Sequence, residues 1–484
     1  MVIFVSQEAF QKDKNSLISK FIKNSTLKNM TKNILNRRQF IQGTAAGLAL
    51  TSLSASGMIK QSKAQYQVAL IGTGWYGKSD LFRLIQVANV EVVALVDVDT
   101  KLLNEAVDLV SKRQKSGKKP KAYSDYKEML KEHKLDIVLI GSPDHWHALQ
   151  CIDALKSGAH VFVQKPISVD VIEGEAMVVA ARKYNKVVQV GTQRRSTPFL
   201  KEAKEKYVDT GLLGKISHVE ICCYFHMRNG SNPPLMDVPS HFDYDSWTGP
   251  APLRPFDGLP HRRWWRAFME YGNGIVGDMC VHMLDAVRWT MDLGWPNKIS
   301  SQGGIYMQKD AKSNISDTQS AVFEYDELNV VWQHRSWGRA ADTKYPWSYK
   351  FYGDKGTLEC STMSYDFTPA KGLGEPVHVD VEIDRVNYPE DLTEDSIELN
   401  AAPAMRAHML DFLAAIENNS RPVADIEEGH ISTASCILAN MSMALGRPLV
   451  YDPKTRQVVG DKEATSLLMR NYREGYKHPH PDSV

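Results

Sequence analysis

Cysteine is scarce and scattered. The six residues, at 151, 222, 223, 280, 360 and 436, include no C-x-x-C pair, so the spacing that builds zinc or dithiol sites is missing and no metal is expected. Buried free thiols are the plain expectation. Long apolar runs are missing too: "FIQGTAAGLALTSLSAS" is short and small-sided for a bilayer-spanning helix, so no integral span is expected in the mature chain. Acidic residues are nearly absent from the first 64 positions, where two Asp/Glu face ten Lys/Arg. The remainder therefore carries a net −7 beneath a whole-chain charge of +1. A moderately acidic body argues against nucleic acid as the main partner.

What is present begins with length. At 484 residues the chain exceeds one compact core and points to two or three domains. Residues 1–64 read as a leader and linker. "NRRQFIQGTAAGLALTSLSAS" places Arg37 and Arg38 before Phe40 and a weakly apolar run, and it resembles a twin-arginine export signal. A plain basic tail is the alternative. The resemblance implies a periplasmic or otherwise exported protein that takes up its cofactor before export. Cleavage near Ala55 or Ala64 fits it, and Met30 would begin a leader of ordinary size.

Residues 65–192 read as a dinucleotide-binding unit. "QVALIGTGWYG" runs from an apolar strand into Gly72-x-Gly74-x-x-Gly77, a helix follows, and the next strand, "VEVVALVDVD", reaches Asp97 twenty positions past Gly77. Gly72 permits the tight turn, Gly74 lets backbone approach a pyrophosphate, Gly77 allows close helix packing, and Trp75 and Tyr76 flank the same phosphate-binding turn. Asp97 accepts from ribose hydroxyls and repels a 2′-phosphate, which favours NAD over NADP, with Lys101 tempering the preference. Apolar strands then alternate with amphipathic helices, the pattern of a parallel sheet covered on both faces. Ligands in such sheets bind beyond the strand tips, where Ser142, Pro143, Lys165, Pro166 and Gln193 fall.

These motifs resemble the Gfo/Idh/MocA family of nicotinamide-dependent sugar oxidoreductases. "GSPDHWHALQCIDALKSGAHVFVQKPIS" is similar to the family's T-P-N-x-x-H stretch followed by G-K-H-V and E-K-P, and the likeness continues through "VGTQRRS", "GNGIVGDMCVHMLD" and "RAHMLDFLAAIENNSRPVADIEEGH", over residues 66 to 476. It implies a Rossmann domain followed by an α+β domain with a large, mostly antiparallel open sheet at 193–484, and a homo-oligomer built through that sheet. It also implies that Lys165 lies beside the nicotinamide and the reacting hydroxyl. Asp278 and His282 match the pair lining the substrate pocket, and His147 matches the motif histidine at the cofactor. Gln164 departs from the family's Glu, and Ser142 and Asp144 stand for Thr and Asn.

The chemistry expected of such residues is hydride removal from a secondary alcohol. His282 suits the base near neutral pH, and Asp278, four positions earlier on one helix, would orient the imidazole. Lys165 would stabilise the developing alkoxide, or would itself be the base if burial favours its neutral amine. The plain alternative makes Asp278 a helix cap and His282 a core histidine. Arg194, Arg195, Arg263, Trp265 and Tyr271 are candidate sugar contacts, since aromatic faces stack on sugars and guanidinium groups donate to hydroxyls; packing is the competing role. Three functions compete: a sugar or glycoside dehydrogenase, a glycosidase working by oxidation, elimination, hydration and reduction, and a sensor without chemistry.

Overall fold

The structure, a computed structural model, describes residues 65–484 except 225–227, 229, 262–263 and 394–395. The leader and Arg263 therefore lie outside the described residues.

Six parallel strands form the first sheet: β1 (Tyr66–Ile71), β2 (Val90–Val96), β3 (Lys121–Tyr123), β4 (Ile137–Ile140), β5 (His160–Val163) and β6 (Val188–Val190). Their order, β3-β2-β1-β4-β5-β6, is doubly wound, with the direction of winding reversing between β1 and β4. The interior strands are apolar on both faces because helices cover both. The crossovers are α1 (Trp75–Val87), α2 (Thr100–Arg113), α3 (Tyr126–Glu132), α4 (His147–Lys156) and α5 (Val171–Lys183). Asp99 caps α2 through the Lys101 and Leu102 N–H groups, and Asp170 with Glu173 forms a capping box on α5, so the sequence itself marks these starts.

Eight strands form the second sheet: β7 (Ile216–Cys223), β8 (Lys298–Gly304), β9 (Thr318–Glu324), β10 (Asn329–Arg335), β11 (Trp347–Gly353), β12 (Gly356–Ser361), β13 (Ser364–Pro369) and β14 (Val377–Asp380). Its order is β14-β13-β12-β11-β7-β10-β9-β8, antiparallel except where β10 runs parallel to β7. The fold class read from sequence is thus observed. Alternation decides which face is inside: Val219, Ile221 and Cys223 of β7 are buried while Glu220 is exposed. The buried face packs on α6 (Val281–Met291) and α8 (Ile426–Leu445) in one core.

One helix crosses the expected boundary. α7 (Ser396–Asn418) inserts Met405, Met409 and Phe412 among Val68, Leu70, Leu81 and Phe82, completing a face of the first sheet. A boundary at 192 leaves that helix with the second half, because chain order carries no sign of which sheet a late amphipathic helix will cover. Among the described residues no helix is long and apolar enough to cross a membrane.

Candidate active site

The glycine turn after β1 is shaped by backbone contact. Gly72 has φ +88°, and a Cβ there would lie 2.5 Å from the Ser142 nitrogen; one on Gly77 would lie 2.2 Å from the Gly72 oxygen. A Cβ on Gly74 would meet nothing within 4 Å, which is the open approach a pyrophosphate needs in front of the uncapped start of α1. The turn opens on a cleft of about 340 Å³ lined by Gly72, Gly74, Trp75, Tyr76, Asp97, Ser142 and Pro143. Its opposite wall comes from beyond residue 240 and includes Phe242, His261, Trp265 and Arg266.

Asp97 shapes this cleft in a way its spacing did not announce. Its carboxylate accepts from the Thr73 N–H at 2.7 Å, the Thr73 hydroxyl at 2.9 Å and the Asp99 N–H at 2.9 Å. Burial pushes its pKa up, against those hydrogen bonds. It braces the glycine turn as well as facing the cleft.

At the tip of β5, Lys165 is buried and its Nζ donates to Asp278 Oδ1 at 2.6 Å and to the Asp278 carbonyl at 3.0 Å. Arg266 adds its Nε at 3.2 Å from the same carboxylate oxygen. Burial works against a charged Asp278, but Lys165 and Arg266 prevail and hold its carboxyl below the usual range. His282 is buried nearby, edge-on to Trp347 at 5.6 Å between ring centroids, with Nδ1 unbonded. Burial, and then the charges of Lys165, Arg194 and Arg266, push its pKa well below the usual histidine value.

The expected Asp278–His282 pair is therefore not formed. Val276–Cys280 is wound as a π-helix, whose wider turn removes the i, i+4 stacking on which that expectation rested. Two cations then capture the carboxylate. The two residues still share a site, each meeting Lys165 on its own terms.

Other expectations divide. Gln193 donates to the Tyr76 hydroxyl at 2.9 Å and so touches the cofactor turn. Trp265 lines the cleft beneath the Arg266 guanidinium, 4.0 Å from its ring. Arg194 is buried 5.8 Å from the Trp347 ring, among the groups around His282.

Arg195 does not face the site: it holds Asp285 at 2.8 and 3.0 Å and Glu428 at 3.0 Å, tying α6 to α8. Tyr271 is likewise withdrawn, fully buried with its hydroxyl 3.3 Å from that of Tyr244 and its ring against Trp247. His147 is buried between the segments that follow β4 and β5. Its ring nitrogens lie 2.8 Å from the Pro166 and Ser142 carbonyls, and burial lowers its pKa to about 4. The ring bridges the ends of β4 and β5, and it is not among the residues lining the cleft. His145 is buried against the Trp247 carbonyl, so neither histidine faces water.

Sequence reasoning missed four neighbours. Arg266 and Trp347 complete the surroundings of Asp278 and His282. Asp80 accepts from Gln164 Nε2 at 2.7 Å, and burial raises its pKa to about 8. The amide in place of the family's Glu thus has a carboxyl to serve. Asp144 is buried with Oδ1 unbonded, and burial raises it to about 8 against the pull of Arg266. Only the departure of Asp144 from the family motif hinted at a difference there.

Two family models match this chain: an oxidoreductase family NAD-binding Rossmann fold over residues 66–192, and the same family's C-terminal alpha/beta domain over 238–450. Among relatives, the chain is 27% identical over 219 residues to a "Glycosyl hydrolase family 109 protein" of Shewanella pealeana, covering 40% of this chain and 46% of that one. It is 29% identical over 181 residues to an "Alpha-N-acetylgalactosaminidase" of Shewanella oneidensis, covering 36% and 38%. Both matches span less than half of the relative. In fold the chain is similar to a levoglucosan dehydrogenase solved with NADH and levoglucosan (TM-score 0.58, 18% identity, 80% of this chain and 99% of that one). An oxidoreductase of Agrobacterium radiobacter solved with NAD+, L-tartaric acid and magnesium is comparable (0.59, 16%, 80% and 98%).

Proposed function

The chain belongs to the Gfo/Idh/MocA oxidoreductase family, and from that premise we propose that it is an NAD-dependent enzyme oxidising a ring hydroxyl of a sugar or glycoside. One observation carries the reading: a buried lysine, its carboxylate partner and a buried histidine share Arg266 as a neighbour with the cleft onto which the open glycine turn faces. The cleft residues Gly72, Gly74, Trp75, Tyr76, Asp97, Ser142 and Pro143, with Gln193 bonded to Tyr76, would hold the dinucleotide, whose nicotinamide supplies the hydride acceptor. Asp97, with Asp99 beside it in the cleft, favours NAD over NADP because a second phosphate there would meet carboxylates.

In this reading His282 takes the hydroxyl proton, since its neutral form dominates at ordinary pH. Lys165 donates to the same oxygen as negative charge builds, and Asp278 holds the ammonium in place. The charges that keep His282 neutral also expel its acquired proton, which suits turnover. Export by the twin-arginine route and association through the second sheet belong to the same proposal.

The likeness to family 109 glycosyl hydrolases favours a second reading with the same residues: transient oxidation acidifies the neighbouring C–H, the aglycone leaves, water adds and hydride returns. Incubating purified protein with a glycoside panel separates them. Accumulating NADH or ketosugar marks a dehydrogenase; sugar released without net NADH marks the hydrolase. A protein that binds NAD but does neither is the sensor, and the proposal fails.

A further inference from the structure

Six arginines are buried among the described residues: Arg83, Arg194, Arg195, Arg228, Arg288 and Arg406. Five spend their guanidinium groups on carboxylates or carbonyls, as Arg83 does on Asp391, Arg195 on Asp285, Arg228 on the Ile315 carbonyl, Arg288 on Glu428 and Arg406 on Asp391. Arg194 is the exception. It is 5% exposed, its Nε is buried without a partner, and its guanidinium makes no hydrogen bond or ion pair with any described group. Nε is sealed while the terminal nitrogens keep a little solvent-accessible surface, so the charge is mostly withdrawn from water without a counter-charge, a costly arrangement that a ligand anion would relieve.

The surroundings point the same way. Arg194 and His282 both pack on the Trp347 ring, at 5.8 and 5.6 Å, and the indole is held by a hydrogen bond to the Met279 carbonyl at 3.2 Å. Three cations, Lys165, Arg194 and Arg266, act on His282, and Asp278 answers only Lys165 and Arg266. Burial works against charge on the other two carboxyls close by, raising Asp80 and Asp144 to about 8. The site carries surplus positive charge before substrate arrives. The Arg194 backbone follows β6, three strands from β1 in the sheet order, roughly 14 Å at ordinary strand spacing. Its side chain lies within the electrostatic reach of Tyr76 and Tyr349, so NAD affinity is the control that separates a substrate anion from the cofactor.

We propose that Arg194 binds the carboxylate of an acidic sugar, so that the substrate class is a uronic acid or its glycoside, with Trp347 as the platform for the sugar ring. This rests on the sugar-oxidoreductase reading for its reaction but not for its binding. A guanidinium fork suits a carboxylate in two parallel hydrogen bonds, and a charge so placed sets which sugar lies against Lys165 and His282.

The test is calorimetric titration of NAD-loaded protein with matched pairs: methyl β-D-glucuronide against methyl β-D-glucoside, and methyl α-D-galacturonide against methyl α-D-galactoside. In at least one pair the wild type should favour the acid by about tenfold or more. Arg194→Gln should erase that preference and Arg194→Lys should keep part of it, with NAD affinity unchanged in both. Equal or better binding of the neutral member in both pairs overturns the proposal, as does no binding of either acid. Loss of NAD affinity in Arg194→Gln also overturns it, because the guanidinium would then serve the cofactor. Reduction of NAD, followed in parallel, reads the reaction separately: selective acid binding without reduction keeps the subsite and removes the oxidoreductase.

Discussion

The Lys165 ammonium lies 2.6 Å from a carboxylate oxygen of Asp278, joining the tip of β5 to a π-wound turn 113 positions later. Both groups are buried, and Lys165 and Arg266 together hold the Asp278 carboxyl below its usual range against burial. Asp278→Asn should leave the lysine without its counter-ion. Breaking a buried pair costs about 3–5 kcal/mol, and on the proposed mechanism turnover should fall roughly 10²-fold as Lys165 loses its position. A Lys165→Met, Asp278→Asn double variant should be more stable than the two single losses added together. Additive melting losses would show the pair to be uncoupled.

The pH profile tests which neighbour governs His282. Its folded pKa is depressed by burial and by Lys165, Arg194 and Arg266, so the proton-accepting form persists as pH falls through the ordinary value near 6.5. kcat/KM should stay level through that region and decline only well below it. An acid limb above 6.5 would mean that Asp278 raises the imidazole's basicity after all.

Stability should respond to acid in a definite direction. Burial lowers His145, His147 and His408 to about 4 from 6.5. Each is protonated earlier in the unfolded chain, so the unfolded state binds more protons as pH falls. The stability contributed by the neutral rings is complete above about 6.5 and is lost on acidification towards 4. Melting temperatures recorded across that interval should drop steadily, and His408→Gln should flatten the slope; a level trace would contradict the burial argument.

Two glycines of one turn should behave differently. Gly72→Ala places a Cβ 2.5 Å from the Ser142 nitrogen at a positive φ and should cost about 1–3 kcal/mol in addition to NAD binding. Gly74→Ala meets no protein atom within 4 Å, so its melting temperature should be unchanged while NAD affinity falls. Equal NAD affinity in Gly74→Ala and wild type would move the pyrophosphate away from that turn.

Arg195 should prove to be a structural residue. Arg195→Ala strands Asp285 and loosens α6 from α8, a loss of about 3–5 kcal/mol. Substrate affinity should change little at temperatures where the variant remains folded, and a selective rise in KM would return Arg195 to the site.

The contrast between Arg194 and Arg195 shows where the sequence stopped being legible. The doubly wound sheet, its glycine turn and the strand tips could be read directly, because backbone sterics and hydrophobic period act over a few neighbouring residues. Adjacent arginines with the same local signals met opposite fates, one finding Asp285 ninety positions on and the other finding the Trp347 ring but no carboxylate among the described residues. Gln164 meeting Asp80, Asp278 choosing Lys165 over His282, and α7 returning to cover the first sheet are decisions of the same kind. Local periodicity settled which elements form and where a dinucleotide fits. Only tertiary packing decided which charges lose water together, because desolvation and Coulomb attraction act through space between groups whose separation along the chain carries no record of their meeting.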